Sequence, residues 1–354
     1  MNFKFEGKKI EGIVSVVPQH CVKFEDEIGN YGFSEDKCRS LQKLMGFGER
    51  RIVADKECGS DLVLHGLEHL IRTGKLDKEE IRALVFVSQT PDHFMPPTSC
   101  ILHGKLGLGR DVLCFDINQG CTGYIYGLIQ SCMILDAVKD GKVVLLNADT
   151  LSRRACRFDR NIYPIIGDAG AITVIGNSPE GRDIVAAMET DGSRSHWLVI
   201  PAGGFRMPSD EQSRQIKVLP DGNRRSDDDF FMNGSGIFTF TQTDVPASLQ
   251  KFFADGDIQV EGIDYFMFHQ PNRFLLEKLA RKLNLDFGKV PANIVEKYGN
   301  PSSASIPLTI CHNVREKILQ EKLRICMAGF GVGLSWGSLL TDVGPLSFCE
   351  LLER

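Results

Sequence analysis

The segment that most restricts the fold is residues 115–128, where a β-rich run ends at Gly120 and a long apolar helical pattern begins at once. Cys121 lies at this junction. Backbone N–H groups and the positive end of a helix dipole favour a thiolate there, so we expect Cys121 to be a nucleophile. Gly120 and Gly123 are expected to leave room for a substrate beside the sulfur. A buried structural role is the alternative, because the chain has eleven cysteines.

Two further segments supply polar groups that suit a cysteine nucleophile. An apolar, strand-like run over residues 263–268 ends at His269, so the imidazole is expected at the carboxyl end of a strand, where α/β sheets place active sites. Small residues surround Asn300 over residues 298–307, which favours a loop that a ligand approaches closely. Taken singly, His269 also fits a core histidine and Asn300 a helix cap.

Composition excludes several classes of protein. At 354 residues the chain exceeds the usual size of one core, so two packed halves are expected. A net charge of −5 argues against a nucleic-acid-binding protein. The N-terminus lacks a signal-peptide pattern and no stretch has membrane-spanning length, so we expect a soluble, cytoplasmic protein with no membrane partner. The eleven cysteines and eight histidines show no disulfide or metal-site spacing, which indicates reduced thiols and no metal.

The chain also shows a weak internal repeat. Residues 81–91 and 263–271 each combine an apolar strand with a polar residue, Gln and a nearby Pro. Residues 142–149 and 323–330 each resemble a buried strand that enters a turn of small residues. The polar stretch from 203 to 229 is expected to be a long surface excursion, either a lid or a solvated loop.

Four motifs occur in a fixed order along the chain. They are Gly120-Cys-Thr-Gly, His269-Gln-Pro-Asn, the small-residue segment 299–307, and Phe330-Gly-Val-Gly-Leu-Ser-Trp-Gly. Together with Gly46-Phe-Gly-Glu-Arg-Arg-Ile, they make nearly the whole chain resemble the ketoacyl-acyl-carrier-protein synthase III family of thiolase-like enzymes. The order of several motifs is far more specific than one glycine-rich segment.

The resemblance implies an α/β fold of the thiolase-like type. Its two similar halves would form a five-layer α-β-α-β-α architecture. Residues 1–178 would form the first half, which carries Cys121. Residues 179–354 would form the second half, which carries His269 and Asn300. The Asn-Ser-Pro-Glu-Gly segment that begins at position 177 has the composition of a turn and suits the boundary.

The resemblance also implies a mechanism. An acyl thioester would load its acyl group onto Cys121, with the carbonyl oxygen held by the backbone N–H groups of Cys121 and Val332. A malonyl thioester would then lose carbon dioxide, and His269 and Asn300 would stabilise the enolate that attacks the acyl group. No permanently bound cofactor is expected, since acyl-CoA or acyl-carrier thioesters are substrates. The alternative is acyl transfer to an alcohol or amine, because fold alone does not fix the acceptor.

Two substrate-binding regions are implied by the same resemblance. Arg160 corresponds to an arginine that contacts coenzyme A, and a solvated surface charge is the alternative. Ser40 stands where better-known members place a tryptophan that stacks on adenine. Phe274 stands where an arginine usually contacts the acyl carrier protein. The expected docking residues instead recur at helical spacing and offer a positive face to an acidic carrier: Arg273, Lys278, Arg281 and Lys282. A solvated helix face is the alternative.

Assembly as a twofold homodimer is a further implication. In this family the loop around residues 94–97 crosses the dimer interface, so Met95 is expected to gate the neighbouring acyl pocket. The apolar strand at 112–117 would need a partner to cover its edge. An inactive partner subunit of a heterodimer would be expected to lack Cys121. The hydroxymethylglutaryl synthase branch ranks low because Asp92 stands where it needs a glutamate.

Overall fold

The computed structural model describes residues 1–138 and 140–354. The strands in this part of the chain are β1 Asn2–Val17, β2 Cys21–Lys23, β3 Glu49–Arg51, β4 Ile81–Val87, β5 Leu113–Ile117, β6 Lys142–Asp149, β7 Ala169–Asn177, β8 Arg182–Thr190, β9 Leu198–Val199, β10 Lys217–Val218, β11 Arg224–Arg225, β12 Phe231–Met232, β13 Tyr265–Phe268, β14 Leu323–Gly331, β15 Ser335–Val343 and β16 Phe348–Glu353. The α-helices are α1 Phe24–Glu27, α2 Glu35–Met45, α3 Gly59–Arg72, α4 Thr98–Leu106, α5 Gly123–Val138, α6 Gly234–Asp255, α7 Arg273–Lys282, α8 Ile294–Tyr298, α9 Ser305–Asn313 and α10 Arg315–Gln320.

Ten strands are joined by hydrogen bonds in the order β13-β14-β15-β8-β1-β7-β6-β4-β5, with β16 beside β1. The long strand β1 joins the two halves of this order: its first residues pair with β8 and the rest with β7 and β16. The runs β4-β6-β7-β1 and β13-β14-β15-β8 share one pattern, in which a parallel pair is followed by two antiparallel pairs. The repeated segments predicted from the sequence therefore occupy equivalent positions, with β4 matching β13 and β6 matching β14.

Helices pack on both sides of the strands and between them. α5 is apolar around most of its circumference because it lies in the centre, where its side chains share one buried cluster with α9, β4, β6 and β14. α3 and α4 cover the outer face of the first half, and α6 and α7 cover the outer face of the second. This arrangement is the expected α-β-α-β-α layering.

Residues 203–229 form a largely exposed excursion that contains the small hairpin β10–β11. The proposed boundary at residues 177–181 falls at the connection between β7 and β8. Among the described helices, none is both long and apolar enough to cross a bilayer.

Candidate active site

Cys121 lies between β5 and α5, and the helix begins two residues later, at Gly123. The carbonyl oxygen of Thr122 accepts the first helical hydrogen bonds, from Ile125 and Tyr126 at 3.0 and 3.2 Å. Cys121 therefore precedes the first turn and is not part of it. Burial raises the pKa of the Cys121 thiol to about 11, although the N–H of Val332 acts in the opposite direction. The expected preference for a thiolate is thus wrong, because desolvation of the sulfur outweighs the nearby N–H dipoles.

The glycines beside Cys121 serve packing and not substrate access. A Cβ at Gly120 would lie 2.1 Å from Gln89 Oε1, and one at Gly123 would lie 2.6 Å from Val87 Cγ1. The prediction that these positions leave room for a substrate is therefore wrong, since protein atoms fill the space. Gly331 is the glycine that faces the sulfur: its Cβ would lie 2.8 Å from Cys121 Sγ.

Two backbone N–H groups are directed at the sulfur, those of Val332 and of Cys121 itself. The turn that carries Val332 is held in place by side chains. Ser335 Oγ donates to the Val332 carbonyl at 2.8 Å, and Thr122 Oγ1 donates to the Ser335 carbonyl at 2.9 Å. The structure thus brings together both backbone donors named from the sequence.

His269 directly follows β13, as predicted. Its backbone N–H donates to the Ala328 carbonyl of β14 at 2.8 Å. The imidazole is buried, lies edge-on to Phe330, and places Nδ1 2.8 Å from Ser305 Oγ. Burial lowers the pKa of His269 to about 3. The ring is therefore neutral at physiological pH.

Asn300 lies in a loop, as predicted, and its backbone fixes the position of its side chain. Its N–H donates to the Ile165 carbonyl at 2.7 Å, and its carbonyl accepts from Gly167 at 3.2 Å. Asn300 Oδ1 accepts the N–H of Ser302 at 2.9 Å. Because Oδ1 is occupied in this way, the two N–H groups on Nδ2 are the part of the side-chain amide that can bind a ligand.

The three side chains meet in one cavity of about 570 Å³, which Cys121, His269 and Asn300 all line. Most of its wall is apolar and includes Leu198, Ile237, Phe238, Phe240, Phe274 and Phe330. A thiol, an imidazole and a side-chain amide therefore line one largely apolar cavity.

Arg160 also lines this cavity and is not a freely solvated surface charge. Its guanidinium carbon lies 4.5 Å from the ring centroid of Phe33, and Nη2 donates to the Asp221 carbonyl at 2.6 Å. Ser40 is exposed, and its hydroxyl donates to the Asp36 carbonyl on its own helix. The aromatic partner of Arg160 is thus Phe33, which the sequence analysis missed because the two residues are distant in the chain.

The predicted docking residues lie on α7, with carboxylates among them. Arg273 is 3.6 Å from Glu296, and Glu277 lies 4.0 Å from Arg273 and 3.8 Å from Arg281. Lys278 lies over the ring of Phe274, which stacks on Phe238 at the cavity. Arg281 and Lys282 are exposed at the end of the helix. Of the four predicted docking residues, Arg273 therefore has the positive charge that acidic neighbours offset most strongly.

The predicted gate is on the surface of this chain. Met95 is 78% exposed, and its neighbour Phe94 packs against the exposed ring of Phe205 at 5.5 Å. β5 is the last strand of the order given above, and Leu113 within it is exposed. Asp92 accepts a hydrogen bond from Ser60 at 2.7 Å and does not line the cavity.

Asp149, Ser302 and Ser305 are further polar residues near the site that the sequence analysis did not single out as functional. Asp149 ends β6. A polar residue at the end of an apolar strand was the signal that identified His269, and the same signal was present at Asp149. The two serines lie in the small-residue segment around Asn300.

Comparisons with known proteins show which family the chain belongs to. Residues 115–192 match the family described as 3-Oxoacyl-[acyl-carrier-protein (ACP)] synthase III, and residues 253–343 match its C-terminal region. A β-ketoacyl-[acyl-carrier-protein] synthase III from Streptococcus suis is 30% identical over 95% of this chain and 98% of its own length. The Clostridium perfringens protein of the same name is 31% identical over 82% of this chain and 87% of its own length.

The structural comparison covers the whole chain. The crystal structure of a 3-oxoacyl-(acyl-carrier protein) synthase from Burkholderia xenovorans LB400 superimposes with a TM-score of 0.92 at 32% identity, over 100% of this chain and 99% of that one. The fold is therefore thiolase-like, and the chain belongs to the 3-oxoacyl-[acyl-carrier-protein] synthase III family of transferases in fatty acid biosynthesis.

Proposed function

We propose that the protein is a β-ketoacyl synthase that loads an acyl group onto Cys121 and condenses it with a malonyl thioester, with loss of carbon dioxide. The observation that carries this proposal is the shared cavity of Cys121, His269 and Asn300. Its apolar wall suits an acyl chain or the arm of a thioester donor.

Acylation divides a difficult reaction into two steps. The Cys121 sulfur attacks the donor carbonyl, and the negative oxygen that develops needs donors already in place. The N–H groups of Cys121 and Val332 lie at the sulfur and fit this role. The product is an acyl-enzyme and a free donor thiol.

Condensation requires stabilisation of an enolate oxygen. The Ser305 hydroxyl donates to His269 Nδ1 in the tautomer that leaves a hydrogen on Nε2, and Asn300 offers Nδ2. Both groups are neutral donors in a largely apolar cavity. The carbanion formed by decarboxylation then attacks the acyl group on Cys121.

Acyl transfer to an alcohol or amine is the second candidate. That reaction needs a base to remove a proton from the acceptor. Because burial lowers the pKa of His269 to about 3, the imidazole is a weak base at neutral pH. A neutral donor pair favours condensation over the alternative.

The donors would be acyl-CoA or acyl-carrier thioesters, and the carrier would dock on the α7 face. Lys278 and Lys282 are the better candidates for contact with an acidic carrier, because Glu277 and Glu296 offset the charge of Arg273. The working unit would be a homodimer, supported by the exposed edge at β5 and the exposed apolar loop at Met95.

Intact-protein mass spectrometry with a panel of acyl-CoA and acyl-carrier thioesters tests the first step, because the adduct mass identifies the primer. Adding malonyl thioester to the acyl-enzyme and measuring carbon dioxide tests the second. Release of carbon dioxide with a β-ketoacyl product supports condensation. Transfer of the acyl group to an added alcohol or amine, without decarboxylation, would favour the alternative.

A further inference from the structure

The motif Gly46-Phe-Gly-Glu-Arg-Arg-Ile contains a buried arginine that has no part in the steps above. Arg50 lies in β3 and is 1% exposed. Its Nη2 donates to both carboxylate oxygens of the buried Glu27 at 2.7 Å, and its guanidinium carbon lies 4.4 Å from the ring centroid of Tyr163. A buried ion pair often adds little net stability, because desolvation of the two charges offsets their attraction. The remaining partner of the guanidinium therefore indicates what Arg50 does.

That partner is a peptide group in the wall of the cavity. Arg50 Nη1 donates to the Ile166 carbonyl at 3.0 Å. The N–H of the same peptide group, which belongs to Gly167, donates to the Asn300 carbonyl at 3.2 Å. One peptide group thus accepts from a cation on one side and donates to the backbone of Asn300 on the other. A charged donor at its oxygen fixes the peptide plane and strengthens the donation by its N–H.

The backbone around Asn300 crosses this segment with no side chain between them. The Asn300 N–H donates to the Ile165 carbonyl at 2.7 Å, so both backbone polar groups of Asn300 bind residues 165–167. A Cβ at Gly167 would lie 1.9 Å from the Tyr298 carbonyl oxygen, so only glycine fits at the crossing. A shift of residues 165–167 is therefore transmitted to Asn300.

We propose that Arg50 is a positioning residue for malonyl decarboxylation, an inference that rests on the proposed function. The guanidinium holds the peptide group at 166–167, and this peptide group holds the backbone of Asn300, which keeps Nδ2 in place for the enolate oxygen. Arg50 does not line the cavity and acts through Asn300. Acylation uses the Cys121 sulfur and the N–H groups of Cys121 and Val332, which lie on other segments of the chain.

The next residue of the motif, Arg51, is a matched control. Its Nη1 donates to the Pro18 carbonyl at 3.0 Å, and its Nη2 lies 3.2 Å from Glu353. These contacts anchor β3 to the ends of β1 and β16. The Arg51 carbonyl accepts from Asp168 at 2.7 Å, but a change of side chain leaves that backbone bond in place. Substitutions at positions 50 and 51 therefore compare two arginines of one strand that hold different segments.

The test measures acylation of the full-length protein by intact mass, with an acyl-CoA, and release of carbon dioxide from a malonyl-carrier thioester by the acyl-enzyme. Arg50→Lys keeps the charge but not the planar fork that reaches two partners. Arg50→Met/Glu27→Gln removes both charges, so no carboxylate stays buried without a partner. Each should slow decarboxylation about tenfold, the equivalent of one hydrogen bond to a charged group, with acylation retained within about twofold. Arg51→Lys and Arg51→Met/Glu353→Gln should leave both rates unchanged.

A double-mutant cycle separates positioning from a general loss of structure. In Asn300→Ala the enolate donor is already absent, so the addition of Arg50→Lys should slow decarboxylation no further. A purely structural role for Arg50 would instead produce the same fold-loss with and without the Asn300 side chain.

Four results would overturn the proposal. Equal slowing of acylation and decarboxylation, or equal fold-losses in the two backgrounds of the cycle, would make Arg50 a structural residue. Unchanged decarboxylation in Arg50→Met/Glu27→Gln would remove the positioning role, and this variant decides the matter even if Arg50→Lys fails to fold. Failure of the unchanged enzyme to release carbon dioxide would refute the proposed function as well, whereas the other three results would leave it intact.

Discussion

The ring of Phe33 covers one face of the Arg160 guanidinium at 4.5 Å, at the wall of the cavity that contains Cys121. The carboxylate of Asp221 lies 3.4 Å from the same guanidinium. Arg160 therefore already has an aromatic and an anionic partner. A nucleotide that stacked on this face of the guanidinium would have to displace Phe33.

Phe33→Ala should consequently expose Arg160 and lower the KM for acyl-CoA. A cation–π contact of this kind corresponds to about a two- to fivefold change. The KM for an acyl-carrier donor, which lacks the nucleotide, should stay the same. Steady-state kinetics measures the ratio of the KM for acyl-CoA to the KM for the acyl-carrier donor. Phe287→Ala is the control, because Phe287 is exposed and does not line the cavity. An unchanged ratio would show that Phe33 does not restrict the nucleotide.

Alkylation of Cys121 should be slow at neutral pH. Because burial raises the pKa of this thiol to about 11, the thiolate fraction is small at pH 7.5 and grows as pH increases. Iodoacetamide should therefore label Cys121 slowly at pH 7.5, and Cys121 labelling should accelerate up to about pH 10. Peptide mapping of labelled protein over this range measures the rate at Cys121. Fastest labelling of Cys121 at neutral pH would contradict the raised pKa.

The two half-reactions should separate on mutation of Asn300. Asn300→Ala removes one enolate donor, so malonyl decarboxylation should fall on the order of 10²–10³-fold while acylation of Cys121 is largely retained. Asn293→Ala, whose amide pairs with Asn313, provides the control. Adduct mass reports the first step and released carbon dioxide the second. Equal losses in both steps would indicate that Asn300 maintains the loop and does not stabilise the enolate.

Decarboxylation by the acyl-enzyme should show no inflection from His269 between pH 5 and 9. The lowered pKa, about 3, leaves the imidazole neutral throughout that window, so its donor state does not change. Ser305→Ala should slow decarboxylation about tenfold, the equivalent of one hydrogen bond, because Nδ1 then loses the partner that orients the ring. Carbon dioxide release as a function of pH tests both statements. A loss of rate below a midpoint near pH 6.5 that disappears in His269→Asn would show that this histidine titrates normally.

The exposed loop at Met95 should control chain length across a dimer interface. Met95→Trp should shorten the accepted acyl chain without slowing acetyl transfer, because only the distal part of a partner's pocket would be filled. Light scattering should report a dimer, and the thioester panel should report the chain-length profile. Ile216→Trp enlarges another exposed apolar side chain and should leave the profile unchanged. A functional monomer would contradict the assembly, and an unchanged profile in folded Met95→Trp would contradict the gate.

The sequence by itself determined the local features of this protein. The strand that precedes His269, the helix that follows Cys121 and the loop of Asn300 all depend on short patterns of apolar, polar and small residues. The order of the motifs was specific enough to indicate the family and hence the layers. These predictions were correct because each depends on neighbours within a few positions in the chain.

Only the tertiary structure decided the pKa values, the packing and the long-range contacts of the site. The raised pKa of Cys121 comes from burial by distant segments, and a local helix-dipole argument had the opposite sign. Gly120 and Gly123 face Gln89 and Val87, so packing fills the space that the sequence suggested for a substrate. Contacts such as Phe33 with Arg160, or Asp149 with Ser303, join segments far apart in the chain, and no local pattern records which of them will meet.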